Sequence, residues 1–249
     1  SCGLACEAVR ESVEKLTAAE LRAETGELAV QPRAKNVAIL GDYDGCFDLI
    51  SPTNKEAPSL VKKYPALKKA KDDLNKYLEE ITKGADNVTL FIGSNRQSNE
   101  VDEFNAKSDD RVSNGLCRTG FRQLADERKW NFNDMRLQEK YEQENEGIDA
   151  QQRVTALGKT AGMTKEEELE SWSVAVKKEM ADLHLKNLLR MGQRGAEVYF
   201  FDDVQEYLDA VCEEVFLRYK DSFTTYIVRF SWYHMAIDGA RLTWKKCGE

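Results

Sequence analysis

Three short apolar runs limit the folds open to this chain: "NVAIL" at 36–40, "NVTLFIG" at 87–93 and "AEVYFF" at 196–201. Each is continuous, rich in β-branched or aromatic residues, and too short for a core helix. Such runs read as strands buried on both faces. Longer helical patterns separate them. From Ala66 to Lys83, Leu67, Ala70, Leu74, Tyr77, Leu78 and Ile81 recur at helical spacing, which predicts an amphipathic helix. "FRQLADERKW" (121–130) predicts another. Thr164 to about Met191 predicts a long helix or two, with Thr164 and Glu167 as a capping box and Leu169, Trp172, Val176, Met180 and Leu183 as its apolar stripe. Residues 204–219 are again amphipathic, and "TTYIVRFSWY" (224–233) is rich in strand formers. Alternating strands and helices predict crossover units, hence an α/β fold with a mainly parallel sheet and helices on both faces.

The weaker segments carry weaker expectations. Residues 6–24 read as a helix, with Thr17 and Glu20 as a second capping box. Residues 51–65 hold three of the four prolines, Pro52, Pro58 and Pro65, and read as an irregular loop or flap. "DMRLQ" (134–138) reads as a further strand, and the polar stretch 139–163 as an insertion. The 249 residues suit one domain: a core of about 36–138 and 176–233, a helical insertion around 139–175 and an N-terminal helical segment 1–35.

Composition excludes some partners. A net charge of −8 makes the chain a poor general binder of nucleic acid or anionic membrane, and no apolar run approaches a membrane span. The chain starts at Ser1 without an initiator Met, which predicts a trimmed chain, and no secretion signal is visible in it. The six cysteines, Cys2, Cys6, Cys46, Cys117, Cys212 and Cys247, form no CxxC pair, and only His184 and His234 could join them. That argues against zinc and for thiols kept reduced in a cytoplasmic setting.

Each of the three main strands runs into small or polar residues. Gly41, Asp42, Tyr43, Asp44 and Gly45 follow the first; Ser94, Asn95 and Arg96 the second; Asp202 and Asp203 the last. In a parallel sheet these groups meet at one edge, where ligands bind. Crowded carboxylates need a cation, and hard oxygen donors without His or Cys point to Mg2+. Singly, each feature has a plainer reading: "DYDG" as a turn, Ser94 as a cap, Asp202–Asp203 as a helix N-cap pair, and His184 as a structural side chain.

In chain order, "LGDYDGC", "LFIGSN", a helical lysine and "VYFFDD" resemble the four motifs of the haloacid dehalogenase (HAD) superfamily. The resemblance spans roughly residues 36–210 as ordered motifs. It implies a HAD-like Rossmannoid sheet with a small flap and a modest helical cap. It also implies a phosphomonoesterase using Asp42 as nucleophile, Asp44 as general acid and base, Ser94 as a phosphoryl hydrogen-bond donor, and Mg2+ held by Asp42, Asp202, Asp203 and the Asp44 carbonyl. Asp44 argues for phosphoryl transfer, since the dehalogenases of the superfamily lack that carboxylate. For the lysine, Lys177, Lys178 and Lys186 all lie on or near the long helix; Lys186, which precedes "NLLRMG", is preferred. Cys46 stands where the family usually has Thr or Val.

A modest cap implies an open site and a phosphorylated protein as substrate, bearing phosphotyrosine or phosphoserine/threonine. A small-metabolite phosphatase and a non-catalytic binding protein on the same scaffold are the alternatives. "GSNRQS" and "SNGLCRTGFRQLA" also resemble HAD-like phosphatases among effectors that intracellular bacterial pathogens secrete into the host cytosol. Nothing in the sequence sets an oligomeric state.

Overall fold

The computed structural model describes residues 34–107, 115–144, 149–232 and 242–249, and Lys35–Glu249 forms one compact unit. Its centre is a six-stranded sheet: β1 (Asn36–Gly41), β2 (Asn87–Ile92), β3 (Asn131–Asn133), β4 (Glu197–Asp202), β5 (Thr224–Arg229) and β6 (Thr243–Lys246), in the order β3-β2-β1-β4-β5-β6. The first five are mutually parallel and β6 pairs antiparallel with β5. The helices are α1 (Ala57–Lys63), α2 (Pro65–Thr82), α3 (Asn99–Ala106), α4 (Cys117–Arg128), α5 (Leu137–Glu144), α6 (Ala150–Ala156), α7 (Lys165–Arg190) and α8 (Gln205–Glu214). The expected mainly parallel α/β architecture is present.

The continuous apolar strands follow from burial on both faces. Alternate residues point to opposite sides. Val37 and Ile39, Leu90 and Ile92, and Tyr199 and Phe201 pack with α2 and α4, through Leu74, Leu78, Phe121 and Leu124. Their neighbours Ala38, Leu40, Phe91, Val198 and Phe200 pack with α5 to α8, through Tyr141, Val154, Met180 and Val211. A polar residue at any central strand position would therefore enter a core.

The side on which successive strands are added reverses between β1 and β4. From β1 the chain crosses to β2 and then β3 on one side; it then returns to β4 on the other side of β1. The carboxyl ends of β1 and β4 thus flank the switch point, where helices diverge and leave a crevice.

Several local expectations are corrected. Residues 51–65 contain the helix α1, with Pro58 in its first turn, a position where the missing N–H costs nothing. The weak strand is β3, at 131–133; Leu137 opens α5 instead. Gln97 anchors that turn: its Oε1 accepts from the Leu137 N–H at 3.0 Å, and its backbone carbonyl from the Gln138 N–H at 3.1 Å. In the region 139–175, α5, α6 and the first turns of α7 contribute Tyr141, Val154 and neighbouring side chains to the same core as the sheet. The Thr164–Glu167 capping box is formed, and α7 is a single helix, but Leu169 on its stripe is 62% exposed. β6 was not expected. Its return beside β5 brings Cys247 to Cys212 of α8, and the two are disulfide-bonded, unlike the uniformly reduced thiols expected. The helix expected over 6–24 and the residue His234 lie outside the described residues. No helix among the described residues is long and apolar enough to cross a membrane.

His184 is fully buried on α7. Its ring lies 4.7 Å from that of Phe91, and its Nε2–H donates to the Ile92 carbonyl at 3.1 Å. Burial holds its pKa down to about 4. The unfolded chain protonates near the usual 6.5, so the stabilising effect is complete above that pH and is lost as pH falls toward 4. Between pH 7 and pH 4, wild type should lose about 3 kcal/mol relative to His184→Gln. Urea midpoints measured across that range check it.

Candidate active site

The β1 and β4 carboxyl ends lie side by side because Gly41 is in register with Phe201, and the Asp42 N–H donates to the Phe201 carbonyl at 2.9 Å. Asp42 and Asp202 therefore leave adjacent strands at the same level. On the other side, the Gly93 N–H donates to the Gly41 carbonyl at 2.8 Å. A Cβ on Gly93 would sit 2.8 Å from Gly41 backbone atoms, well inside van der Waals contact. Only glycine lets β2 close this tightly on β1 and deliver Ser94 beside Asp42.

Carboxylate oxygens of Asp42, Asp202 and Asp203 fall within 4.8 Å of one another. One cation answers them. The buried Lys177 ammonium lies 2.8 Å from Asp42 Oδ1 and 2.7 Å from Asp202 Oδ2, and donates to the Gly93 carbonyl at 2.9 Å. Asp42 and the Gly93 carbonyl accept hydrogen bonds from the ammonium, and Asp202 is held to it as an ion pair. Burial opposes the charge on Lys177, but Asp202 and Asp42 outweigh it and hold the group above the usual lysine range. Three carboxylates still face one ammonium. Burial, with repulsion between the acids, raises Asp42 and Asp202 above the usual carboxylate range against the pull of Lys177. Burial and the Asp42 charge push Asp203 up to about 6. A set of three oxygen donors with surplus negative charge fits a hard divalent cation such as Mg2+.

Asp44 is oriented differently. Its Oδ2 accepts from Arg96 Nε at 2.9 Å and its Oδ1 from Arg96 Nη2 at 2.5 Å, so its carboxylate turns away from the other three. Gly45, at φ 75°, carries the chain through the tight turn that follows Asp44. Asp42, Asp44, Ser94, Lys177, Asp202 and Asp203 all line one cavity of about 660 Å3. Its outer wall is apolar, with Val101, Leu169, Trp172 and Tyr207. Beside it lies a second depression of about 620 Å3, bordered by Phe104 and Leu169, both largely exposed.

Five of the six expected side chains are thus assembled, and the sixth is corrected. Lys186 is about half exposed and pairs with Asp182 one helical turn away, at 2.6 Å. Lys178 pairs with Glu214 at 2.7 Å. Of the three lysines, Lys177 is the one that lines the cavity. Its signal was present in the sequence: Ser173, Met180, Ala181 and His184 share its helical face and are all buried. A lysine on a face of small and apolar residues needs a buried partner. Arg96, also missed as a site residue, stands two positions after Ser94. The plainer reading of Asp202 holds in part, because its Oδ1 accepts from the Val204 N–H at 2.9 Å just before α8. Cys46 is fully buried, and burial raises its thiol well above the usual range; it is a packing residue with little thiolate character.

No protein-family profile, curated protein or solved structure matches the chain.

Removing Lys177 leaves buried acids without their counter-charge, a loss of about 3–5 kcal/mol by analogy with other buried pairs. Lys177→Met should therefore lower the urea midpoint, whereas Lys186→Met changes it by little. Equal effects from the two variants, read by urea denaturation, would reverse the assignment.

Proposed function

We propose that the chain is a Mg2+-dependent phosphomonoesterase of the HAD type, working through an aspartyl-phosphate at Asp42. The observation that carries this reading is the buried Lys177 ammonium shared by Asp42 and Asp202 at the carboxyl ends of adjacent parallel strands, with Asp203 and Ser94 lining the same cavity. A nucleophilic carboxylate, a fixed cation and acids able to hold a metal are the parts that phosphoryl transfer needs.

In this reading an oxygen of Asp42 attacks phosphorus, and the bond to the leaving oxygen breaks as Asp44 protonates it. Water then attacks the phospho-Asp42 phosphorus, giving its proton to Asp44, and the Asp42–phosphorus bond breaks to release phosphate. Lys177 keeps the Asp42 carboxylate oriented and offsets charge that builds on the phosphoryl oxygens. Ser94 offers a hydroxyl to the same group. Mg2+, held by Asp42, Asp202 and Asp203 with the Asp44 carbonyl, would supply Lewis-acid neutralisation of the phosphoryl charge.

The exposed apolar border formed by Phe104 and Leu169 favours a substrate that extends beyond its phosphoryl group. A phosphoprotein side chain meets that description better than a small sugar phosphate does.

With Mg2+, wild type should hydrolyse p-nitrophenyl phosphate roughly a thousandfold faster than Asp42→Asn. EDTA should abolish the difference and Mg2+ should restore it. Equal rates for the two proteins would sink the phosphatase reading. Phosphopeptides should be turned over with higher kcat/KM than sugar phosphates; the reverse order would leave a small-metabolite phosphatase.

A further inference from the structure

Arg96 is an unusually committed side chain. It is 2% exposed, and four of its contacts are polar. Nε and Nη2 hold the two oxygens of Asp44; Nη1 donates to Asp102 Oδ1 at 3.1 Å and to the Gly115 carbonyl at 2.8 Å. The guanidinium carbon lies 5.1 Å from the centroid of the Tyr43 ring. Asp102 is itself buried, and it accepts from the Cys117 N–H at 2.9 Å and the Arg118 N–H at 3.4 Å. The fork is therefore fixed from behind, by α3 through Asp102 and by the chain entering α4, while its front edge grips Asp44.

Asp44 needs such a grip. It lies beyond the end of β1, in a turn, and its side chain is 20% exposed. An acid–base group must hold its orientation to within a fraction of an ångström to pass a proton along the reaction axis. A planar fork that contacts both oxygens fixes the tilt and the rotation of a carboxylate together, which a single ammonium cannot do. It uses one lone pair on each oxygen and leaves the second for the travelling proton.

We propose that Arg96, braced by Asp102, is the positioning residue of the acid–base carboxylate Asp44. This rests on the phosphatase reading and extends it. In the first step Asp44 gives its proton to the leaving oxygen as the Asp42–phosphorus bond forms; in the second it takes a proton from the attacking water as that bond breaks. Arg96 reaches the reaction through Asp44, whose orientation it sets.

The test compares kcat/KM, which reads the step that forms phospho-Asp42, for an alkyl phosphomonoester and for p-nitrophenyl phosphate. The alkoxide needs a proton to leave and nitrophenolate does not. Arg96→Lys should lower kcat/KM for the alkyl ester by roughly ten- to a hundredfold, with p-nitrophenyl phosphate and the inhibition constant of inorganic phosphate held within about threefold. Asp44→Asn should lower kcat/KM for the alkyl ester at least as much, and the double variant should be no slower on that ester than Asp44→Asn alone, as for residues that act as a unit. Asp102→Asn should reproduce the pattern more weakly, which keeps the test open if Arg96→Lys folds poorly by urea denaturation. Equal loss on both substrates, or losses that multiply in the double variant, would make Arg96 a scaffold residue only and overturn the inference. Wild type no faster than Asp42→Asn on either ester would instead remove the phosphatase reading, and this inference with it.

Discussion

The site depends on one buried ammonium. Lys177 lies within hydrogen-bonding distance of Asp42, Asp202 and the Gly93 carbonyl, so it ties together the ends of β1, β4 and β2. Without it, several acids at the centre of the sheet edge would repel each other in a poorly solvated crevice. Its stem comes from the middle of α7, a helix of 26 residues packed across the sheet. The length and rigidity of that helix let a residue far along the chain act as the counter-charge for the first strand.

Around this ammonium two carboxylate systems are kept apart. Asp42, Asp202 and Asp203 converge on a region that suits a divalent cation, whereas Asp44, although only two residues from Asp42, is drawn aside by Arg96. The anchoring of Arg96 on Asp102 holds Asp44 there. Neighbouring acids in sequence thereby acquire different partners, and different chemical roles become available to them. His184 and Gln97 support the turn between them and the sheet, both bonding to the Ile92 carbonyl at the end of β2.

Much of this was legible in the residues. Continuous apolar runs imply strands with two buried faces, and the order of strands and helices implies parallel crossovers. Polar residues placed directly after such runs imply a shared edge. Those inferences rest on local pattern and reach Asp42, Asp44, Ser94, Asp202 and Asp203. The short edge elements were less legible. β3 spans three residues and carries little periodicity. β6 carries Thr243, Lys245 and Lys246 in its four residues, because an edge strand faces solvent, and its link to α8 through Cys212 and Cys247 depends on a return path that no local pattern encodes.

The sequence by itself determined that β1, β2, β4 and β5 are strands, that they run parallel, and that carboxylates, a hydroxyl and a glycine turn gather at their carboxyl ends, because burial and periodicity are local constraints on each residue. The tertiary structure alone decided which partner Asp44 takes, and it brought Lys177, whose apolar helical face marked it for burial, to Asp42. Lys177 and Lys186 lie on one helix, nine positions apart, on different faces; only the packing of α7 on the sheet turns the first toward Asp42 and leaves the second to pair with Asp182. Arg96 likewise meets Asp44 across two strands, a distance set by the register of β1 on β2.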